Sequence, residues 1–309
     1  MPTPSVYTAA LTPAQAVTLR DLLTEHGFDF AKQPPYTLYQ GRKGKLVVTV
    51  YEKGPKAVVQ GKGWEEFVEF TFEPQVLGEA RRGYEAVHNP EMFAPHFGID
   101  ESGKGDFFGP LVIAGVYVDA QLAQHFLNAG IADSKTITSD ARIRTHAQTI
   151  RKSGAAHTLV LITPPRYNAL IKQIGNLNRL LAWGHARAIE NLCELRPDCP
   201  RALSDKFADV RVLRSALMAR GRTLRLDQQT KAESDYAVAA ASILAREAFI
   251  DWMDDSSKKC GVTLAKGVSP ATKAAAQKIY GRDGRDALAA VAKEHFKTFA
   301  EITNELVLK

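Results

Sequence analysis

Residues 98–110 read Gly98-Ile99-Asp100-Glu101-Ser102-Gly103-Lys104-Gly105-Asp106-Phe107-Phe108-Gly109-Pro110, and an apolar run to Val118 follows at once. This order restricts the fold. His96 to Asp100 and Gly109 to Val118 read as two strands of one hairpin around a glycine turn, with paired acids at its rim. Adjacent carboxylates at a strand end can hold hard divalent cations, and glycines without Cβ let a phosphodiester approach main-chain N–H groups. The combination points to metal-dependent phosphodiester chemistry.

Two other readings compete for the same stretch. Gly98 to Lys104 spells the phosphate-loop pattern of glycine, four residues, glycine and lysine, but Gly105 stands where that loop needs Ser or Thr for Mg2+. Asp100 and Glu101 would also turn negative charge on a triphosphate. The plainer reading is a turn whose acids are merely solvated, since turns collect Asp and Gly for conformational reasons.

With 309 residues and 45% of them apolar, the chain can bury a sizeable core and is expected to form two domains. Its net charge of +6 suits a polyanionic partner only modestly over this length. Cys193, Cys199 and Cys260 have neither disulfide-framework nor zinc-site spacing. The amino terminus lacks a signal-peptide pattern and no apolar run is long enough to span a bilayer, so a soluble, cytoplasmic protein, by default a monomer, is expected.

Thr12 and Pro13 open a helical stripe to His26, closed by Gly27. Alternating segments Tyr36–Gln40, Lys45–Tyr51, Ala57–Gln60 and Phe67–Phe72 follow and predict a curved antiparallel meander. Between residues 32 and 62 seven bases face the single acid Glu52, with Tyr36, Tyr39 and Tyr51 among them and Trp64 just beyond. Such a mixture suits a sheet that tracks phosphates and stacks on sugars or bases, although lysines in turns beside a hydrophobic core would look similar. Residues 1–75 are therefore read as a basic accessory domain, 76–95 as a linker and 96–309 as an α/β domain. In the latter, His157–Thr163 predicts a third strand. Helices are expected at Pro165–Gln173, Asn178–Leu195, Ser234–Met253, Pro270–Tyr280 and Asp286–Ile302.

Two-metal phosphodiester hydrolysis needs several carboxylates on one point, because cations about 4 Å apart must be neutralised and held. Asp205 ends a strand-like segment that would reach the sheet edge of Asp100, and Glu233 immediately precedes the long helix from Ser234. Spacing leaves their convergence open.

The Asp100–Asp106 motif with Phe108-Gly109-Pro110, Asp133-Ser134-Lys135, Gly175-Asn176-Leu177-Asn178 and Lys231-Ala232-Glu233-Ser234 followed by Ala239–Ile243 resemble, in order, the motifs of the bacterial ribonuclease HIII family. Leu264–Ser269 and His295-Phe296-Lys297-Thr298 resemble its carboxy-terminal motifs. The resemblance implies a ribonuclease H-like fold, with a mixed central sheet flanked by helices, behind a small α+β TATA-binding-protein-like domain. It implies hydrolysis of the RNA strand of RNA–DNA hybrids with two Mg2+ or Mn2+ ions, leaving 5′-phosphate and 3′-hydroxyl ends. Ribonuclease HII-like action at single ribonucleotides and non-catalytic hybrid binding are the alternatives.

The family's metal-binding, catalytic acids fall on Asp100, Glu101, Asp205 and Glu233. Substrate contacts are expected from Gly103, Lys104, Gly105, Ser134, Lys135, Asn176 and Asn178, with helix capping by Asn178 as a rival reading. In the basic domain they are expected from Tyr39, Arg42, Lys43, Lys45, Lys56, Gln60 and Lys62. Two departures stand out: Lys206 replaces an expected glutamine, and the spacing from Glu233 to Ser242 is one residue short. Asp235 thus competes with Glu233, which is preferred because acids in a first helical turn commonly serve the helix dipole.

Overall fold

A computed structural model describes residues 6–30, 33–78, 90–131, 137–230 and 232–303, and divides the chain into two units between Glu91 and Met92. In the first unit, strands β1 (Val6–Ala10), β2 (Thr37–Lys43), β3 (Leu46–Tyr51) and β4 (Lys56–Gln60) form an antiparallel sheet in the order β1-β4-β3-β2. Helix α1 (Pro13–Glu25) begins with a capping box in which Thr12 and Gln15 satisfy each other's main-chain N–H. Its buried face, Ala16, Leu19, Leu22 and Leu23, packs on Val48, Val50 and Val59 from the sheet.

Phe67–Phe72 is a helix rather than the expected strand. Helix α2 (Trp64–Phe67) continues as a π-helical segment, Val68–Leu77. The alternation of Val68, Phe70 and Phe72 suggested β structure, yet Val68 and Phe72 are buried while Phe70 is 66% exposed. β1, which the sequence reading did not anticipate, already pairs with β4 and closes the edge a further strand would have used. The segment therefore buries residues 68, 72 and 76 against the sheet instead. Val76 and Leu77 of the expected linker are helical and Pro90–Met92 forms a 3-10 turn, whereas 79–89 lie outside the described residues.

The second unit carries β5 (His96–Ser102), β6 (Leu111–Val118), β7 (His157–Ile162), β8 (Arg201–Asp205) and β9 (Arg225–Gln229) in the order β7-β6-β5-β8-β9. β5, β6 and β7 pair antiparallel, while β8 joins β5, and β9 joins β8, in parallel. The helices are α3 (Ala120–Asn128), α4 (Asp140–Lys152), α5 (Pro164–Ile174), α6 (Leu177–Leu195), α7 (Val210–Ala216), α8 (Tyr236–Cys260), α9 (Pro270–Ala289) and α10 (Lys297–Thr303). α3, α4, α7 and β9 go beyond the elements read from the sequence. The carboxy-terminal pair divides differently too, with α9 broken at Gly284 and α10 starting only at Lys297.

Both faces of the sheet are covered, which is why β6 is buried at every position and shows no alternation. Val112, Ala114, Val116 and Val118 face the core under α8, whereas Leu111, Ile113 and Tyr117 face the core under α6. At Gly98 the α8 backbone comes so close that an added Cβ would lie 2.2 Å from Ala237 C and Val238 N. Among the described residues no helix is long and apolar enough to cross a membrane.

Candidate active site

Parallel pairing of β5 with β8 sets Ile99 opposite Ser204. The next residues, Asp100 and Asp205, therefore emerge at the same carboxyl edge. Successive strand side chains point to opposite faces, so Asp100 and Glu101 are split across the sheet. Asp100 turns to α8 and receives a hydrogen bond from Ser242, as well as one from the Glu101 main chain at 2.8 Å. Glu101 turns to α6, where His185 Nε2 donates to its Oε2 at 3.0 Å.

Asp205 Oδ1 accepts from Ala232 N at 3.3 Å. This bond ties the end of β8 to the 3-10 turn Ala232–Ser234 that carries Glu233. β5 and β8 thus carry Asp100, Glu101 and Asp205 to one sheet edge, and Glu233 follows the Ala232 that is bonded to Asp205.

Electrostatics distinguish the two adjacent carboxylates. Burial raises the Asp100 pKa well above the usual carboxylate range, and the fields of Glu101 and Asp205 push it further, outweighing the bonds from Ser242 and Glu101 N. Burial would raise Glu101 as well, but His185 and then Lys104, whose Nζ lies 3.5 Å from Oε1, hold it below its ordinary value. Among the described residues no three acidic, imidazole or thiol groups already stand as a closed ligand cluster. The donors are nevertheless hard carboxylate oxygens with accumulated negative charge at one edge, a set that fits Mg2+ or Mn2+.

Asp235 is committed to the start of α8. It is the N-cap of α8, with Oδ1 accepting from Ala237 N at 2.9 Å and Val238 N at 3.2 Å, and His96 Nε2 lies 2.9 Å from the same oxygen. It is 4% exposed. Asp235 is thus spent on the cap, and Glu233 lies in the 3-10 turn ahead of the helix. Lys206 extends the β8–β9 pairing through its main chain, N to Gln229 O at 3.0 Å.

A cleft of about 250 Å³ is lined by Asp100, Glu101, Ser102, Gly103, Lys104, Gly105, Ser242 and Arg246. Gly103 has φ +85°, and a Cβ there would lie 2.1 Å from Pro110 O, whereas Gly105 faces open space. Asn176 and Asn178 lie elsewhere, on an open groove of about 900 Å³ with Arg179 and Arg211. Asn176, rather than Asn178, caps α6, accepting from Arg179 N at 3.1 Å. Ser134 and Lys135 fall outside the described residues.

The basic residues of the first unit divide between two faces. Arg42 stands opposite Val47, which stands opposite Gln60, and Lys56 opposite Tyr51, so these side chains share the sheet face away from α1. Gln40 and Thr49, joined at 2.8 Å, sit on that face too. Lys43 and Lys62 instead border a groove with His26, Glu66 and Phe70. Lys45 is exposed in the β2–β3 turn. Tyr39 is not a surface contact: it is 6% exposed, donates its hydroxyl to Ala16 O at 2.6 Å, and burial raises its pKa. Its place on β2 has the parity of the core, not of Arg42.

Sequence reading missed His185, Arg246 and the contact made by Ser242. A polar residue at position 185, four after Leu181 on the buried stripe of α6, was the available signal. Ser242 and Arg246 are one helical turn apart on α8, so the same face meets Asp100 and the cleft.

Residues 97–299 match the profile of the Ribonuclease HII family. The chain is 42% identical over 303 residues to ribonuclease HIII of Protochlamydia amoebophila, covering 98% of each. The chain belongs to the ribonuclease HIII family. Ribonuclease HIII of Chlamydia muridarum is likewise 42% identical over 304 residues, again with 98% of each chain covered. Among solved structures, Bst ribonuclease HIII in complex with Mn2+ aligns with a TM-score of 0.66 at 26% identity, over 97% of this chain and 98% of that one. A ribonuclease HIII is a ribonuclease H endonuclease, and a divalent-metal requirement goes with the family.

Proposed function

We propose that this ribonuclease HIII cuts the RNA strand of RNA–DNA hybrids with two Mg2+ or Mn2+ ions, leaving 5′-phosphate and 3′-hydroxyl ends. The observation that carries this reading is the placement of Asp100 and Glu101 beside Asp205 at the carboxyl edge of β5 and β8, against a glycine turn bearing Lys104. Asp100, Glu101, Asp205 and Glu233 would hold the ions. The chemistry such ions would supply there is a lowered pKa for an attacking water and an offset to charge on the departing 3′-oxygen.

The chain's own groups supply position and selectivity. Ser242 orients Asp100, and His185, itself 3.0 Å from Ser204 Oγ, orients Glu101. Lys104 is 37% exposed at the cleft and can meet a phosphate. Main-chain groups of Gly103 and Gly105 present an edge without side chains, suited to the ribose 2′-hydroxyl that distinguishes RNA from DNA.

With Mg2+ or Mn2+ the protein is expected to cleave a labelled RNA–DNA hybrid and leave matched DNA–DNA intact, and EDTA should remove the activity. End-group analysis checks the products. Cleavage in EDTA, or equal cleavage of both duplexes, would sink the assignment.

The sheet face of the first unit that carries Arg42 and Lys56 serves, in this reading, to hold the hybrid. Arg42→Ala with Lys56→Ala should weaken hybrid binding and reduce the slope of log Kd against log salt by roughly 1 to 2, as expected when one or two phosphate contacts are lost. Binding titrations over a salt series measure this. An unchanged slope would remove those two residues from the contact surface.

A further inference from the structure

Behind the glycine turn, Lys293 lies between α9 and α10 with its side chain 0% exposed. Its Nζ donates to Gly109 O at 2.7 Å and Asp106 O at 2.8 Å, and approaches Phe108 O at 3.5 Å. Its main-chain N donates to Phe107 O at 2.9 Å, and Gly109 N donates to Val291 O at 2.9 Å. The chain near residue 290 thus grips the turn by its main chain and by one ammonium.

The gripping segment is itself anchored. Asn168 Nδ2 donates to Ala292 O at 3.0 Å, and Glu294 N donates to Asn168 Oδ1 at 3.0 Å. The Tyr167 ring centroid lies 5.6 Å from Lys293 Nζ. From the other side, Gly267 N donates to the Asp106 carboxylate.

A buried ammonium is costly unless its donors are used. Burial pushes the Lys293 pKa down to about 7, with Asp106 as the opposing influence. Its hydrogen bonds go to main-chain carbonyls of the turn, so holding that turn is the evident return for burying the charge. An apolar side chain would fill the space without gathering the carbonyls of residues 106, 108 and 109 onto one point. The other half of the same turn, Gly103 to Gly105, opens on the acid cleft.

We propose that Lys293 is a positioning residue that sets the substrate-facing half of the 103–109 turn, so that hybrid binding depends on it more than the hydrolytic step does, a role that rests on reading Gly103 and Gly105 as the ribose-facing edge. Lys293 lies behind the turn, and its ammonium bonds to the main-chain carbonyls of residues 106, 108 and 109 rather than to Asp100, Glu101, Asp205 or Glu233. Its influence on the reaction passes through the turn.

The test compares full-length Lys293→Met and Lys293→Gln with the parent by hydrogen exchange, thermal unfolding and steady-state cleavage of the hybrid. In Lys293→Met, amide exchange over 103–110 should rise at least tenfold while the β8 amides keep their protection, and KM should rise about tenfold with kcat changed less than about threefold. Gln restores two N–H donors without a charge and should recover a large part of both effects. Gln also provides the comparison if the Met variant does not fold.

Unchanged exchange over 103–110 in both variants would overturn the role. So would a uniform loss of protection with kcat and KM following stability alone, or an opened turn with parent-like KM. Metal-dependent cleavage of the hybrid by the parent, measured in the same series, tests the functional reading without reference to Lys293.

Discussion

Asp100→Asn is expected to cut the rate of hybrid cleavage by roughly four orders of magnitude, ~5 kcal/mol of transition-state free energy, while hybrid affinity stays within about threefold. Asparagine keeps the shape of the side chain, and its carbonyl oxygen can still accept the 2.8 Å bond from Glu101 N. What it removes is the negative charge at the centre of the acid edge.

A second readout follows from the same electrostatics. Burial, then Glu101 and Asp205, raise the Asp100 pKa in the folded protein above its unfolded value. The folded state therefore binds more protons than the unfolded state across that interval, and stability falls as pH rises through it. Asparagine carries no such ionisation. In EDTA at neutral pH the variant should unfold at the same or a higher temperature than the parent, and the difference should close in acid, below the ordinary aspartate pKa. Added Mg2+ should raise the parent's Tm more than the variant's. A variant that cuts near the parent rate, or gains as much from Mg2+, would remove Asp100 from its assigned role.

The acid edge was legible because its parts are chemical and local. Asp100 and Glu101 end an apolar run, Asp205 ends another, and Glu233 precedes a long helix, so each could be picked out before the sheet was known. Their shared edge was not legible, since it depends on the parallel register of β5 with β8, which sets Asp100 beside Asp205, and on the Ala232 N bond to Asp205. Tyr39 shows the same limit from the other side. Arg42 and Lys43 later on its strand are basic and exposed, but strand parity gives Tyr39 to the core. Asp235 needed the cap geometry, because an acid at the N-cap and one a residue later are indistinguishable until the helix start is fixed. Phe67–Phe72 misled because alternation alone does not fix a strand, and β1 had taken the side of β4 on which a continuing meander would have paired.

A single methyl group at Gly98 should be far more damaging than its size suggests. Gly98→Ala would place a Cβ 2.2 Å from Ala237 C and Val238 N and 2.6 Å from Ala237 Cβ. Those atoms belong to the first turn of α8, whose Ala237 N and Val238 N are bound to Asp235 Oδ1, beside His96. They cannot swing aside as a flexible side chain could. Relief requires β5 and α8 to separate, at a cost of about 3 kcal/mol, equivalent to roughly 10 °C in Tm for a unit of this size. The same movement would draw Ser242 away from Asp100, so activity should fall even at temperatures where the variant remains folded. Gly105→Ala provides the contrast: nothing lies within 4 Å of the added Cβ. It should hold stability within about 0.5 kcal/mol while raising KM for the hybrid, because the methyl group enters the cleft rather than the core. Thermal unfolding and cleavage kinetics on the two variants separate these effects. Parent-like stability in Gly98→Ala would mean that α8 is not held against β5 as closely as its first turn indicates, and the placement of Ser242 over Asp100 would lose its structural basis.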